Sequence, residues 1–158
     1  MNIQFRKMTT ADIHTVWELE CKCFSCPWSE NSLREEMRNK IAYYELMESD
    51  GELIGYAGIW VLFGEAHITN VAIAPEYRGR GLGRTLMLHM FEKAKARRAR
   101  AMTLEVREHN EAAKAMYYHL GFKQVGERKR YYSDTGESAL ILWNYNIAAA
   151  IDTARAKC

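Results

Sequence analysis

A loop rich in glycine and arginine, residues 78–84, has the sequence RGRGLGR and lies between a predicted strand, residues 67–74, and a predicted helix, residues 82–99. The first turn of a helix presents unpaired N–H groups, glycines let the backbone close around an anion, and arginines supply countercharge. The loop therefore predicts a cradle for a pyrophosphate. A turn and helix cap with solvated arginines is the structural alternative.

The spacing of these glycines excludes the two common nucleotide-binding motifs. A P-loop requires Lys followed by Ser or Thr, whereas here Arg84 precedes Thr85. A dinucleotide-binding loop requires G-x-G-x-x-G, whereas this loop reads G-x-G-x-G, and no early βαβ unit contains it. Neither a P-loop NTPase nor a Rossmann dinucleotide enzyme is indicated.

A carboxylate and a phenol lie on predicted elements downstream of the loop. Glu105 alternates along a predicted strand with Met102, Leu104 and Val106, so its carboxylate lies on the opposite face from these apolar residues. Tyr117 lies on the apolar face of a predicted helix. Their residue types and positions alone favour a solvated strand carboxylate at Glu105 and a core tyrosine at Tyr117.

The elements that position these residues follow a mixed order of strands and helices. Hydrophobic periodicity and turn residues predict strands at 2–6, 41–48, 52–62, 67–74, 102–107, 122–128 and 138–146. Asp50-Gly51 predicts a tight hairpin turn between the second and third of these strands. Helices are predicted from Thr9 or Thr10 to Cys23, from the N-cap Ser29 to Arg38, over 82–99 and from the N-cap Asn110 to Gly121. The strand-helix-strand unit over 67–107 implies one parallel pair in an otherwise mostly antiparallel sheet, which is a mixed α/β fold.

Length and charge limit the class of protein. The chain has 158 residues, 48% of them hydrophobic, and its 22 Lys and Arg against 20 Asp and Glu give a net charge of +2. We expect one globular domain, with no general electrostatic attraction to DNA or to a membrane. The N-terminus has no signal-peptide pattern and no apolar run is long enough to span a bilayer, so we expect a cytoplasmic protein.

Three cysteines are crowded into six residues, at Cys21, Cys23 and Cys26, and the fourth is Cys158. Reduced thiols are expected because the spacing makes a poor disulfide framework. The alternative is a metal site formed by the three clustered cysteines with His14 or His67. A second downstream cysteine pair is missing, so we predict no metal.

Two further patterns resemble the GCN5-related N-acetyltransferase (GNAT) superfamily. The segment NVAIAP at 70–75, followed by Arg78-x-x-Gly81-x-Gly83, is similar to its acetyl-CoA signature, and the residues from Asn110 to Phe122 are similar to its second motif. The resemblance covers residues 2–146. It implies the acyl-CoA N-acyltransferase fold, a splayed and mostly antiparallel sheet flanked by helices, over 1–147. A tail at 148–158 could extend a helix or be disordered.

Within that superfamily, the segments FSCPWSE at 24–30, LEVR at 104–107 and RYY at 130–132 resemble the RimI type. Such enzymes acetylate the N-terminal alanine of the small-subunit ribosomal protein bS18. The resemblance implies acetyl-CoA and the N-terminus of a ribosomal protein as partners. We expect a monomer. A broader Nα-acetyltransferase, a small-molecule amine acetyltransferase and a non-catalytic CoA-binding module are the alternatives.

The resemblance also assigns roles to residues. It makes Glu105 the general base and Tyr117 the acid that protonates the leaving thiolate, by direct transfer in a ternary complex. A weak base is sufficient, because an α-amine with a pKa of about 7.7–8.0 is partly neutral near pH 7. The expected acetyl-CoA contacts are Val71, Ala72, Ile73, Arg78, Gly79, Arg80, Gly81, Leu82, Gly83, Arg84, Asn110 and Tyr117. The expected acceptor contacts are Pro27, Trp28, Ser29, Glu30, Tyr131 and Tyr132.

The C-terminal part of the long predicted helix and the residues after it are basic. Five cations stand within eight residues: Lys93, Lys95, Arg97, Arg98 and Arg100. We interpret them as cations placed favourably at a helix C-terminus, with an RNA-binding patch as the alternative.

Overall fold

The structure is a computed structural model that describes residues 1–156. Lys157 and Cys158, the last residues of the predicted tail, lie outside the described residues. The helices are α1 Ile13–Cys23, α2 Glu30–Arg38, α3 Leu82–Ala96, α4 Glu111–His119 and α5 Ile147–Ala156. The strands are β1 Ile3–Lys7, β2 Ala42–Ser49, β3 Glu52–Leu62, β4 Glu65–Ile73, β5 Ala101–Arg107, β6 Lys123–Arg128 and β7 Ala139–Asn144.

The strands form one seven-stranded sheet in the order β1-β2-β3-β4-β5-β7-β6. The pairs β1·β2, β2·β3, β5·β7 and β6·β7 are antiparallel. The pair β4·β5 is parallel over three residue pairs, from Glu65↔Ala101 to His67↔Thr103. The predicted mixed α/β sheet and its parallel strand-helix-strand unit are therefore confirmed.

The turn between β2 and β3 has the conformation that its sequence predicts. Asp50 and Gly51 have φ of 51° and 83°, the left-handed conformation that a tight hairpin turn requires. Gly58 is required for a different reason, because a Cβ there would lie 2.1 Å from Cε1 of Tyr44 on the neighbouring strand. The ring of Tyr44 thus occupies the space that a larger residue at position 58 would fill.

The structure corrects two predicted boundaries and describes the tail. Helix α3 ends at Ala96, three residues earlier than predicted, because Arg98 adopts a left-handed φ of 69° and the Ala99 N–H bonds the Ala94 carbonyl. Strand β4 begins at Glu65, because its first residues pair with β5. The tail is helical over Ile147–Ala156, with Ile147 and Ile151 buried. Among residues 1–156 no helix is long and apolar enough to cross a membrane.

The chain contains two compact units. The first combines Met1–Trp60 with Thr69–Met90, and the second combines Val61–Ile68 with Phe91 onward. The core of the first unit contains apolar residues of α1, α2, β2, β3 and β4, among them Val16, Leu33, Leu46, Tyr56 and Ala72. In the second unit, buried residues of β5 and β7 accompany Phe91, whose ring lies 5.8 Å from that of Phe122.

Candidate active site

The glycine and arginine loop precedes α3 in the first unit, as predicted. Gly79 and Gly81 have φ of 76° and 77°, and a Cβ at either position would meet nothing within 4 Å. Glycine is therefore favoured at both positions by the positive φ, and the space next to the loop backbone is open. The first helical hydrogen bond runs from the Thr85 N–H to the Gly81 carbonyl, at 3.2 Å. The preceding N–H groups of the first turn are available to an anion.

Two of the loop arginines are held by backbone carbonyls. Nε of Arg78 donates to the Ile73 carbonyl at 3.0 Å, and Nη2 of Arg80 donates to the Glu76 carbonyl at 3.3 Å. The Arg80 guanidinium also lies 5.2 Å from the ring centroid of Tyr77. Arg78 and Arg80 are therefore oriented cations at the loop, which fits the negative charge of a pyrophosphate.

Strand β4 has an unpaired edge in the first unit. Its neighbours in the sheet are β3 and β5, and its pairing with β5 ends at His67. The Ala74 N–H donates to the Ile54 carbonyl of β3 at 2.8 Å, so by the alternation of a strand the N–H groups of Val71 and Ile73 point to the other edge. The Val71 and Ile73 side chains are half-buried. This edge can pair with an extended polar ligand.

A buried carboxylate in the first unit, Glu20, joins three elements. Oε2 of Glu20 accepts from the backbone N–H of Trp28 at 3.2 Å, and Oε1 accepts from Nδ2 of Asn70 at 3.1 Å and from the Tyr56 hydroxyl. Burial, followed by the nearby Glu20 charge, raises the pKa of Tyr56 well above its ordinary value. The Tyr56 phenol therefore remains a donor to Glu20 at physiological pH.

The predicted acceptor residues at 27–30 occupy the connection between α1 and α2. The Trp28 side chain is half-buried and packs against the core of the first unit. Ser29 caps α2 by accepting from the Ser32 N–H at 3.0 Å, which confirms the predicted cap. Glu30 lies 2.5 Å from Nδ1 of His14 and raises the pKa of that histidine, whereas Pro27 is exposed.

Glu105 lies on strand β5 of the second unit, opposite in face to the buried Met102, Leu104 and Val106, as the alternation predicts. Its side chain is 19% exposed, and its Oε2 lies 3.6 Å from Nε of Arg128. The carboxylate is thus half-enclosed, is reached by solvent and has one cation nearby. Such a group can accept the proton that an attacking amine loses.

Tyr117 has a buried ring and a hydroxyl that solvent reaches. The ring packs edge-on against Phe122, with centroids 5.7 Å apart. Within residues 1–156 nothing hydrogen bonds its hydroxyl, and no buried side-chain oxygen lacks a partner, so that oxygen must be accessible. Burial and the nearby Tyr132 raise the pKa of Tyr117 to about 12. The ring is packed as the core interpretation predicts, and the phenol remains protonated at neutral pH, so the acid role stays a prediction.

The two predicted acceptor tyrosines meet at the β6–β7 connection. The rings of Tyr131 and Tyr132 are 5.2 Å apart and perpendicular, with Tyr131 53% exposed. The Arg107 guanidinium lies 4.0 Å from the Tyr132 ring centroid and donates to both carboxylate oxygens of Asp134, at 2.9 and 3.0 Å. Burial raises the pKa of Tyr132 and the Arg107 charge opposes that shift. Arg107 therefore fixes both the ring and the connection that carries it.

Asn110 caps α4, as predicted. Its Oδ1 accepts from the Ala113 N–H at 3.2 Å, and its side chain is exposed. Its side-chain nitrogen, Nδ2, donates to no group in the described part of the chain, so it is available to a ligand.

The alternative metal site is not formed by the described residues. In the chain up to residue 156, no group of three His, Cys, Asp or Glu side chains is arranged to hold a metal ion. The Cys23 thiol instead donates to the Ile73 carbonyl at 3.4 Å, and burial raises its pKa.

Sequence reasoning missed two residues of this region. Glu20 falls on the α1 face among Ile13, Val16 and Leu19, all buried, and a carboxylate on an apolar stripe is the signal that could have identified it. Arg107 ends the segment LEVR, but its partner Asp134 lies 27 residues away. No local pattern could have joined them.

Comparison with known proteins shows that the chain is similar to one family over a range that includes these residues. A family model described as Acetyltransferase (GNAT) family matches residues 13–122, which include the glycine loop, Glu105 and Tyr117. A Bacillus subtilis protein, provisionally named a ribosomal protein bS18-alanine N-acetyltransferase, is 45% identical over 139 residues, covering 87% of this chain and 92% of the relative.

Two further relatives agree. A Mycobacterium tuberculosis protein named N-alpha-acetyltransferase RimI is 36% identical over 138 residues, covering 84% of this chain and 85% of the relative. The crystal structure of the ribosomal-protein-S18-alanine N-acetyltransferase from Escherichia coli superimposes with a TM-score of 0.84 at 29% identity, covering 90% of this chain and 92% of that one. The similarity extends over most of each chain, so it concerns the whole fold rather than one motif.

Proposed function

Because the chain belongs to the GNAT acetyltransferase family, we propose that it transfers the acetyl group of acetyl-CoA to the N-terminal α-amine of a protein, the N-terminal alanine of ribosomal protein bS18. The observation that carries the proposal is the unpaired edge of β4 at Val71 and Ile73, which leads directly into the glycine loop before α3. An extended chain ending in a pyrophosphate matches that succession of groups. The names of the Bacillus subtilis relative and of the Escherichia coli structure support this acceptor. We place the reaction in the cytoplasm, where ribosomal proteins are made.

The first unit is assigned the acetyl-CoA contacts. The backbone N–H groups of residues 79–84 hold the pyrophosphate, with Arg78, Arg80 and Arg84 as countercharge. The N–H and carbonyl groups of Val71 pair with the pantetheine arm, and the Ala72 backbone continues the strand. The Ile73 N–H, which points to the unpaired edge, polarises the carbonyl of the acyl group. When bound, acetyl-CoA supplies the activated thioester.

The second unit is assigned the proton transfers. Glu105 takes the proton that the α-amine loses as it attacks, and its half-enclosed carboxylate suits an amine whose reference pKa is about 7.7–8.0. Tyr117 returns a proton to the departing sulfur, a role that requires a phenol still protonated at neutral pH. Asn110 provides a further contact for the pantetheine arm. No covalent enzyme intermediate is required.

Acceptor recognition is assigned to residues 27–30 and to the pair Tyr131 and Tyr132. Tyr131 is the more exposed ring of the pair and is the surface against which a peptide would pack. Trp28 is held in this region by its backbone hydrogen bond to Glu20 and by its half-buried ring. Ser29 and Glu30 support the α2 N-terminus and thereby the shape of the acceptor region.

The test is an assay of CoA thiol release with acetyl-CoA and a peptide that begins with the bS18 N-terminal alanine. Release that depends on the free α-amine supports the proposal. A peptide with a blocked α-amine and a free lysine is the matched control and should give background release. Absence of release with the first peptide, while acetyl-CoA binds, would overturn the catalytic proposal in favour of a non-catalytic CoA-binding module.

A cellular measurement identifies the acceptor. Mass spectrometry of ribosomal proteins from cells with and without the gene should show one acetyl group missing from bS18 in the deletion strain. An unchanged bS18 mass with a change on other N-termini or on small amines would replace the acceptor and leave the chemistry standing.

A further inference from the structure

The second unit carries an exposed aromatic and basic surface that the proposed chemistry does not use. We define the basic-aromatic surface by Phe63, Arg98, Arg100, Trp143 and Tyr145. Phe63 is 93% exposed and Tyr145 is 65% exposed. Large aromatic side chains are seldom left this accessible together unless they contact something.

Backbone hydrogen bonds bring the segments of this surface together. The Arg100 N–H donates to the Gly64 carbonyl at 2.8 Å, and the Ile147 N–H donates to the Arg100 carbonyl at 3.1 Å. The β3–β4 turn, the α3–β5 connection and the β7–α5 junction are therefore neighbours. The rings of Trp143 and Tyr145 are stacked, 5.5 Å apart and only 3° from parallel.

Two residues of the surface are held in a conformation that other residues adopt more easily. Phe63 has φ of 52° and Arg98 has φ of 69°, in the left-handed region that favours glycine or asparagine. Both lie at turns, where Asn or Gly would satisfy the fold at lower conformational cost. An exposed ring and an exposed guanidinium in these positions indicate a use outside folding.

The charge of the surface is positive. The guanidinium groups of Arg98 and Arg100 form no ion pair with residues 1–156, and both side chains are exposed. The carboxylate at the adjoining turn is Glu65, and Glu92 of α3 is engaged by Arg155. A guanidinium fork suits phosphate oxygens, and a free aromatic face suits an unstacked base.

We propose that the basic-aromatic surface binds single-stranded RNA. Bases stack on Phe63 and on the Trp143–Tyr145 pair, and Arg98 and Arg100 contact the phosphates. A duplex hides its base faces and would use the arginines alone. The choice of RNA over DNA rests on the proposed function, because a ribosomal-protein acceptor belongs to an RNA-containing particle.

The experiment is fluorescence anisotropy of a labelled 12-nucleotide single-stranded RNA with the full chain at several salt concentrations. Phe63→Asn removes the ring and creates an Asn-Gly turn, so it does not endanger folding. We expect roughly tenfold weaker RNA binding for this variant. Arg98→Asn should lower the slope of log affinity against log salt by about 0.7, the value for one phosphate contact on a single strand.

Arg34→Gln, which removes an exposed cation of α2, is the matched control and should bind RNA like the parent chain. Equal binding by the parent, Phe63→Asn and Arg98→Asn would overturn the proposal, as would equal affinity for duplex RNA or for DNA of the same sequence. Peptide acetylation, measured without RNA, should be unchanged in both variants. The two assays therefore separate failure of RNA binding from failure of the proposed function.

Discussion

The carboxylate of Glu20 accepts a hydrogen bond from the backbone N–H of Trp28, eight residues along the chain and beyond the end of α1. The same carboxylate is 1% exposed and also accepts from the side chain of Asn70, the residue before Val71. One buried group thus fixes both the proposed acceptor segment and the start of the proposed donor edge, within the first unit. We therefore expect Glu20 to position the Trp28 segment and the start of the β4 edge.

Replacement of Glu20 by Gln tests that role. The amide puts an N–H group against an existing donor, so we expect a loss of about 1–3 kcal/mol in the free energy of unfolding. The KM for the acceptor peptide should rise more than the KM for acetyl-CoA, because the Trp28 segment loses its anchor. Glu18→Gln, an exposed carboxylate on the same helix, is the control. Equal changes in both KM values would assign Glu20 to general stability.

Two glycines allow an effect on acetyl-CoA binding to be distinguished from an effect on stability. Gly81 and Gly51 have φ of 77° and 83°, and a Cβ at either would meet nothing within 4 Å. Alanine should therefore cost each site a similar free energy of unfolding, about 1 kcal/mol. Only Gly81→Ala places a methyl group where the pyrophosphate is proposed to approach, so calorimetry should show acetyl-CoA affinity lowered about tenfold there and unchanged in Gly51→Ala. Equal affinities would contradict the cradle.

Glu105, the proposed general base, can be compared with a control carboxylate on another strand of the same unit. Glu105→Gln should lower kcat for the alanine peptide by about 10²–10⁴ and leave acetyl-CoA affinity unchanged. Glu127→Gln on β6, an exposed carboxylate of the same unit, should retain activity. Steady-state kinetics with both variants decides the point. Full activity of Glu105→Gln would show that the amine loses its proton to water.

Local signals predicted the framework and non-local contacts completed it. The Asp-Gly turn at 50–51 and the caps Ser29 and Asn110 were readable, because each depends on residues within three positions. The face of β5 that carries Glu105 could be predicted from the sequence, because side chains alternate between the two faces of a strand. The contacts of Glu20 with Tyr56 and Asn70, and of Arg107 with Asp134, could not be predicted, since these partners lie 27 to 50 residues away. The end of α3 was missed because the left-handed Arg98 is not a typical helix stop.

Tyr117→Phe removes a hydroxyl that hydrogen bonds to no group within residues 1–156, and it keeps the ring that packs on Phe122. We expect a change in the free energy of unfolding at pH 7 within about 0.5 kcal/mol. If the phenol protonates the leaving thiolate, kcat should fall by about 10²–10⁴. Tyr118→Phe, whose side chain is exposed on the same helix, should remain active.

The pKa of Tyr117, raised to about 12, adds a prediction about alkaline pH. The folded pKa lies above the unfolded value of about 10, so this residue contributes stability that is present below pH 10 and is lost as pH rises through 12. The parent chain should therefore lose stability above pH 10 more steeply than Tyr117→Phe in urea unfolding. In the rate profile, the phenol should stay protonated, and kcat should show no decline from its ionisation, up to pH 10. A decline near pH 8 that disappears in Tyr117→Phe would mean that the proton-donating hydroxyl is far more acidic than its burial allows.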